Sequence, residues 1–413
     1  MEKNLIDKQR FVHDKNTICD ILVLVLTVIG SLFVIWTFTG KWPWVSQPYN
    51  SYILQAEAWT KGQLDLGKDY PYLELAIYKG KYFVSFPPLP SFIMFPFVLL
   101  HWKTCDGFIA AISAVMAAIY AYKLIKSFGI DNNRSIMYSL LLTIGSNWLF
   151  TAQTAWVWFI AQNLAFTFSL MALYYARKGK GGLALAFWAC AVGCRPLQIA
   201  YLPAILYMRY EYFKCEVPNS KLLDIIKLKW KCVIPMIIIA LSYMVLNFAR
   251  FGNPLEFGHN YLPEFTRSEN GQFSAVYILQ NIPKLFRLPD ISFSEKWTYQ
   301  NIDGFLIFIA SPIFLTYAVY VIRSFIRDKD KNDNRLTVLI VISIILELFL
   351  TTAHKTMGGE QFGNRYTNDV LPLLFLGIAS VIHEKKDWEK LNLVLLAMGF
   401  AVNILGSMMV FNK

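Results

Sequence analysis

The chain has 413 residues, of which 56% are hydrophobic and only 16% charged; a soluble domain carries nearer a quarter charged residues, so the composition excludes an ordinary soluble protein. The formal charge of +11 does not describe a nucleic-acid binder, because 24 of the 39 lysines and arginines crowd into six short segments, 1–16, 123–134, 177–180, 209–231, 323–335 and 385–390. That asymmetry is the positive-inside pattern of a multi-pass membrane protein with a cytoplasmic N-terminus.

The first apolar run, 19–38, is long enough to span a bilayer and lacks a small-residue cleavage site, so it is expected to be retained. Residues 39–106 form a large outer loop. Within it, 49–61 has the pattern of a helix lying on the membrane, with Tyr49, Tyr52, Ile53, Ala56 and Trp59 on one face and Asn50, Glu57 and Lys61 on the other. Residues 75–86 alternate around Lys79-Gly80 as a hairpin does. The stretch 87–102 is apolar but proline-broken and short, and is expected in the outer leaflet.

Central spans fill 107–250. Segments 107–128, 136–149 and 155–176 cross in turn, with a short outer turn at 151–154. Segments 181–195 and 196–207 are expected as half-depth helices meeting at Arg195-Pro196, because proline disfavours helix at the residue before it. After a basic loop, 209–231, the chain crosses again at 232–248. A second large outer loop occupies 251–303, and C-terminal spans follow at 304–322, 336–352, 370–382 and 391–411. The expected fold is therefore all-α: a single integral-membrane domain, 1–413, with about eleven transmembrane helices and an extracytoplasmic C-terminus. The six cysteines are mostly intramembrane or cytoplasmic on this topology, which argues against an exported disulfide framework. Cys190 and Cys194, one helical turn apart, are expected to pack.

Four acids fall in the first outer loop: Glu57, Asp65, Asp69 and Glu74. A base that takes a proton from a hydroxyl must be a carboxylate or histidine held beside the attacking oxygen. Glu74 and Glu57 are the better candidates, because apolar neighbours shield them from free solvation. Glu347 sits inside a span, where a carboxylate is costly unless it faces a cavity, a partner or the outer surface. The loop HKTMGGEQFGNRYTND, 354–369, gathers Gln361, Asn364, Arg365, Tyr366 and Asp369 at the mouth of the next span. A guanidinium suits two-point binding of a phosphate; the plainer alternative is that Arg365 pairs with Asp369 or Glu360. Arg195, at the helix break, can meet a lipid phosphate or snorkel to ordinary lipid. Trp156, Trp158, Phe159 and Gln162 open a span where an aromatic belt is expected. His259 and His354 lack metal-site spacing and are expected at the surface, so no metal is assigned.

Four local patterns carry a resemblance: YILQAEAWTKGQLDL with LELAIYKGKYFVSFPPLPSFIMFP, then CRPLQIAYLPAIL, NFARFGNPLEFGHNY and GGEQFGNRYTNDVLP. Set in a first span, a large outer loop and many further spans, they resemble a bacterial branch of the C-type (GT-C) superfamily of integral-membrane glycosyltransferases. The resemblance implies a polyprenyl-phosphate sugar as donor substrate, with no bound cofactor assigned. It implies a glycan, lipid or cell-wall polymer as acceptor, and inverting transfer on the outer face of the cytoplasmic membrane. An acid of the first outer loop, Glu74 or Glu57, would be the base. Arg365 and Arg195 would neutralise the departing phosphate, with Gln361, Asn364, Tyr366, Asp369 and Glu347 around it. The superfamily often places a second acid in the next outer turn; residues 150–155 hold none. The tryptophan–aspartate motif of the oligosaccharyltransferases is also absent. A transporter or flippase for a lipid-linked sugar is the alternative, and a non-catalytic scaffold a third. A transporter needs polar groups down the whole bundle, whereas here they gather at one face.

Overall fold

The computed structural model describes residues 15–217, 230–293, 297–299, 303–327, 334–359, 361–382 and 388–411. Glu360 and most of the basic segment 1–16 lie outside the described residues.

In hydrocarbon a backbone must satisfy its own hydrogen bonds, so apolar runs become helices. The chain opens with α1 (Lys15–Thr39). The first loop carries α2 (Ser51–Thr60), a hairpin of β1 (Leu75–Tyr78) and β2 (Lys81–Val84), and α3 (Leu89–Leu99). The bundle follows with α4 (Cys105–Lys126), α5 (Asn132–Leu142), α6 (Trp148–Ala152), α7 (Val157–Arg177), α8 (Gly181–Val192), α9 (Leu202–Glu216) and α10 (Ile234–Phe251). The second loop carries α11 (Ala275–Phe286), and α12 (Ile313–Arg327), α13 (Arg335–Ala353), α14 (Leu371–Val381) and α15 (Glu389–Phe411) complete the bundle. Among the described residues six helices are long and apolar enough to cross a membrane. These are 17–39 and 230–251, together with α4, α7, α13 and α15. Shorter apolar helices accompany them, among them α3, α8 and the 313–324 part of α12.

The largest apolar core joins Leu32 and Ile35 of α1, Ala117 and Ala121 of α4, Leu170 of α7 and Phe375 of α14. Lipid offers no hydrophobic drive between helices, so polar side chains add to the packing. Ser113 Oγ and Thr167 Oγ1 meet at 2.9 Å between α4 and α7. Asn163 Nδ2 donates to the Thr151 carbonyl at 2.7 Å.

The structure departs from sequence expectation at helix breaks. The run 136–149 is not one helix: α5 stops at Leu142, and α6 restarts at Trp148. Hydroxyls of Ser139, Thr143 and Ser146 bond back to carbonyls four residues earlier, a local competitor to the helix ladder. Asn147 Nδ2 is drawn instead to the Phe362 carbonyl at 2.8 Å and Asn403 Oδ1 at 3.1 Å. The run 304–322 becomes helical in earnest only at Ile313, just after Pro312, whose ring disfavours helix before it. Conversely α9 runs on to Glu216, past the expected end at 207.

The first loop follows expectation closely. Lys79 and Gly80 both have positive φ, 50° and 73°, as a two-residue turn matching the strand twist requires. Helix α2 buries Tyr52, Ile53 and Ala56, and also Ser51 and Gln55. It therefore rests on protein, α3 above all, rather than on lipid alone.

Candidate active site

A cavity of about 820 Å³ opens between the two large loops and the loop before α14. Each loop contributes chemistry to it. Glu74 enters from the start of β1, His259 from the second loop, and His354, Arg365 and Tyr366 from the third.

Local ties place these groups. Ser85 Oγ donates to the Glu74 carbonyl at 2.9 Å, fixing the acid's backbone to the hairpin. Trp158 Nε1 donates to Glu74 Oε2 at 2.9 Å. The second loop is knotted by its own polar residues. Arg250, only 4% exposed, donates to Asn247 Oδ1 at 2.8 Å and to the Val84 carbonyl at 3.3 Å. Glu256 accepts from the Gly258 backbone at 2.6 Å and from Asn260 Nδ2 at 2.7 Å. The motif NFARFGNPLEFGHNY is thus the fastening that carries His259 under Ser85.

Arg365 begins a 3-10 turn, Arg365–Val370, that leads into α14. Gln361 Oε1 accepts from its backbone N at 2.8 Å, and Gln162 Nε2 donates to its carbonyl at 2.7 Å. The residue is 3% exposed, yet Nε and Nη1 have no hydrogen-bond partner. Aromatic faces surround the charge, Tyr366 at 4.7 Å, Trp158 and Phe159 each at 5.9 Å. Glu74 and Asp369 act on this charge only at a distance, and a buried cationic donor without a hydrogen-bond partner is costly. Gly358 makes room: its φ is +86°, and a Cβ there would meet Arg365 Nε at 2.8 Å.

Arg195 also lines the cavity, but Asp369 Oδ2 takes its Nη2 and its Nε, the latter at 3.1 Å. Asp369 therefore pairs with Arg195 and not with Arg365. Its other oxygen accepts from Gln162 Nε2 at 2.7 Å. Glu347 lies behind this pair, 1% exposed, with Gln198 Nε2 3.4 Å from Oε1. Gln361, Asn364, Asp369 and Glu347 are thus buried beneath the cavity wall, whereas Tyr366 forms part of it.

Three expectations change. Glu57 does not line the cavity; its Oε1 pairs with Lys103 Nζ at 3.1 Å, because its helix turns that face outward. His259 and His354 are not surface residues: both line the cavity, and His354 is 7% exposed. Trp156, Trp158, Phe159 and Gln162 form no lipid belt. Phe159 and Gln162 are fully buried and Trp158 faces the cavity, because the loops fold over this end of α7. The exposed Glu264 carboxylate joins the same cavity, a residue no local pattern marked out. Among the described residues no group of three or more His, Cys, Asp or Glu could hold a metal.

Two solved structures share this architecture. The crystal structure of ArnT from Cupriavidus metallidurans in the apo state matches with a TM-score of 0.53 at 12% identity. That of the same protein bound to undecaprenyl phosphate matches with 0.54 at 13%. Each match covers 94% of this chain and 76% of the other. The chain has the GT-C fold. Identity this low speaks to the fold alone. Neither a protein-family model nor a curated protein sequence matches the chain.

The electrostatics of this GT-C cavity are uneven. Burial raises the pKa of the Glu74 carboxyl; Trp158 and Arg365 pull it back down, and Glu264 pushes it up. Burial also lowers both histidines to about 4, helped by neighbouring positive charge and opposed by backbone carbonyls. The cavity thus combines the unpartnered donors of Arg365 with carboxylates and neutral imidazoles.

Proposed function

We propose that this chain is an inverting membrane glycosyltransferase, moving a sugar from a polyprenyl-phosphate donor to a glycan or lipid acceptor on the extracytoplasmic face. One observation carries the reading: a shielded carboxylate, Glu74, and a buried guanidinium lacking an anion, Arg365, share one cavity. The ArnT structure bound to undecaprenyl phosphate supports it, since a polyprenyl phosphate has the chemistry Arg365 lacks. The lysine and arginine asymmetry supports a cytoplasmic N-terminus and an extracytoplasmic C-terminus, with the loops outside.

Glu74 takes the proton of the acceptor hydroxyl as its oxygen attacks the anomeric carbon. The bond to phosphate oxygen breaks on the opposite side, so a single displacement inverts the centre. Arg365 stabilises the charge growing on the departing phosphate. Arg195, already paired with Asp369, holds the Tyr366 ring 5.1 Å from its guanidinium and so shapes the phosphate side. Glu57 has no part in this reading. Holding two membrane-borne substrates together supplies a large share of the rate.

The test is release of undecaprenyl phosphate from an undecaprenyl-phosphate sugar by protein reconstituted with acceptor. Glu74→Gln is expected to lower kcat about 10²–10⁴-fold, and Arg365→Gln about 10²–10³-fold, with both variants eluting as folded protein. Undiminished turnover in both removes this site. Sugar lipid that crosses vesicles unconsumed makes the protein a flippase.

A further inference from the structure

His259 and His354 come from different loops, yet their ring centroids lie 6.0 Å apart. Phe265 wedges them, 5.1 Å from His259 and 5.4 Å from His354. Backbone carbonyls hold each ring by the same edge. His259 Nδ1 is 3.1 Å from the Ser85 carbonyl, and His354 Nδ1 is 2.8 Å from that of Thr356. A carbonyl only accepts, so we assign the proton to Nδ1 in both rings, which leaves Nε2 as a lone-pair acceptor. Neither Nε2 has a hydrogen-bond partner among the described residues, and neither is sealed from the cavity that both residues line. The Thr356 backbone N–H also points at His354 Nδ1, at 3.2 Å, and the proton is assigned to Nδ1 there on the shorter carbonyl contact.

We infer that His259 and His354 form a hydroxyl-accepting subsite that grips one sugar ring through two of its hydroxyls, an inference that rests on the transferase reading above. The chemistry follows from what each group can do. Arg365 only donates and calls for an anion. Two bare imidazole nitrogens only accept and call for neutral donors, which a sugar has in adjacent pairs. Ser85 links the subsite to the base, since its carbonyl holds His259 and its hydroxyl holds the Glu74 carbonyl. Apolar walls from Phe257, Phe265 and Phe273 suit the faces of a sugar ring. The ring could belong to the lipid-linked donor or to a glycan acceptor.

Substitution separates the two ring nitrogens. Asparagine can reach the Nδ1 position and keep the bond to the carbonyl, but it lacks the Nε2 acceptor. Glutamine can reach the Nε2 position with an acceptor oxygen, but it gives up the Nδ1 contact. Binding to protein in nanodiscs is measured for undecaprenyl phosphate, for undecaprenyl phosphate carrying a pentose or a hexose, and for methyl glycosides of the same sugars. Wild-type protein is expected to prefer a sugar-bearing lipid over the bare phosphate. His259→Asn and His354→Asn should each lose about tenfold of that preference, and His259→Gln and His354→Gln should keep most of it. Arg365→Gln should weaken both lipids and leave the preference intact. The same pattern seen for a methyl glycoside, with no preference between lipids, assigns the subsite to the acceptor.

The inference is overturned if the Asn and Gln variants fail equally, if wild-type protein shows no sugar-dependent binding to any probe, or if it carries one equivalent of a divalent metal that both Asn variants lose. Histidine variants that bind as wild type, beside an Arg365→Gln that loses both lipids, sink the subsite and leave the transferase reading standing. The converse, with sugar binding altered and Arg365→Gln silent, keeps the subsite and sinks the phosphate site.

Discussion

At Glu74, burial and the neighbouring Glu264 favour the protonated acid, while Trp158 Nε1 and the Arg365 charge favour the carboxylate. A base must be ionised to act, so the acid limb of kcat/KM is expected above the ordinary glutamate value of about 4.3. Trp158→Phe removes a donor to the charged form, which raises the pKa and moves that limb to higher pH. A pH profile that stays in place, or shifts down, would mean Glu74 is not the group being titrated. Gly358 makes a second case at this scale. Its φ of +86° is strained for any other residue, and a methyl group would press on the Arg365 guanidinium. Gly358→Ala should therefore cost about 1–3 kcal/mol in backbone strain and displace Arg365. Reduced thermal stability together with weaker binding of undecaprenyl phosphate checks both effects. Sequence gave reason to notice the glycine pair and Arg365; that Asp369 is committed to Arg195, 174 residues away, could not be seen locally.

Helix α11 shows how an element seals the site. Its Tyr277, Asn281 and Leu285 are buried, and the helix packs on α13. Asn281 Nδ2 donates to the Thr352 carbonyl at 3.0 Å and to that of His354 at 2.8 Å. These are carbonyls at the end of α13 that no intrahelical donor reaches. Asn281→Ala should cost about 1–3 kcal/mol, the penalty for stranding buried acceptors, seen as a lower Tm in detergent. It should also loosen His354; an unchanged Tm would show that water replaces the amide freely. On the opposite face Val276, Leu279 and Phe286 are exposed, Leu279 at 81%. An exposed apolar stripe is the reverse of a soluble surface helix, and it suits a helix resting in the headgroup region. The two interrupted runs at 143–147 and 311–312 make the same point in reverse. Their residues are apolar enough to suggest continuous spans, but the Ser139, Thr143 and Ser146 hydroxyls bond back to carbonyls four residues earlier, and Asn147 is tied to Ser311, Phe362 and Asn403 in distant segments.

At the scale of the whole molecule, the two large loops and the loop before α14 meet over one end of the bundle. From the charge asymmetry we propose that this end lies outside the cytoplasm. Single-cysteine labelling in a cysteine-free background tests it: a cysteine at Asp65 should react with an impermeant reagent in intact cells, and one at Lys180 only after permeabilisation. The reverse pattern would turn the cavity to the cytoplasm, where the polyprenyl donor would have to be presented on the inner leaflet.

Length, hydropathy and the placing of lysine and arginine were enough to establish a helical membrane protein, its main spans and its large first loop. Each of those depends on transfer of contiguous residues into lipid, which is a local property of the chain. The Lys79-Gly80 hairpin was legible for the same reason, since its turn needs only two residues with positive φ. The composition of the cavity was not local. Glu57 and Glu74 look alike in sequence, and only packing against Lys103 or Trp158 separates them. His259 and His354 carry no pattern of their own; they become a pair because a knotted loop and a capped helix end bring rings 95 residues apart in sequence to 6.0 Å. Those choices belong to the tertiary structure, because they are set by contacts between distant segments that no single stretch of chain contains.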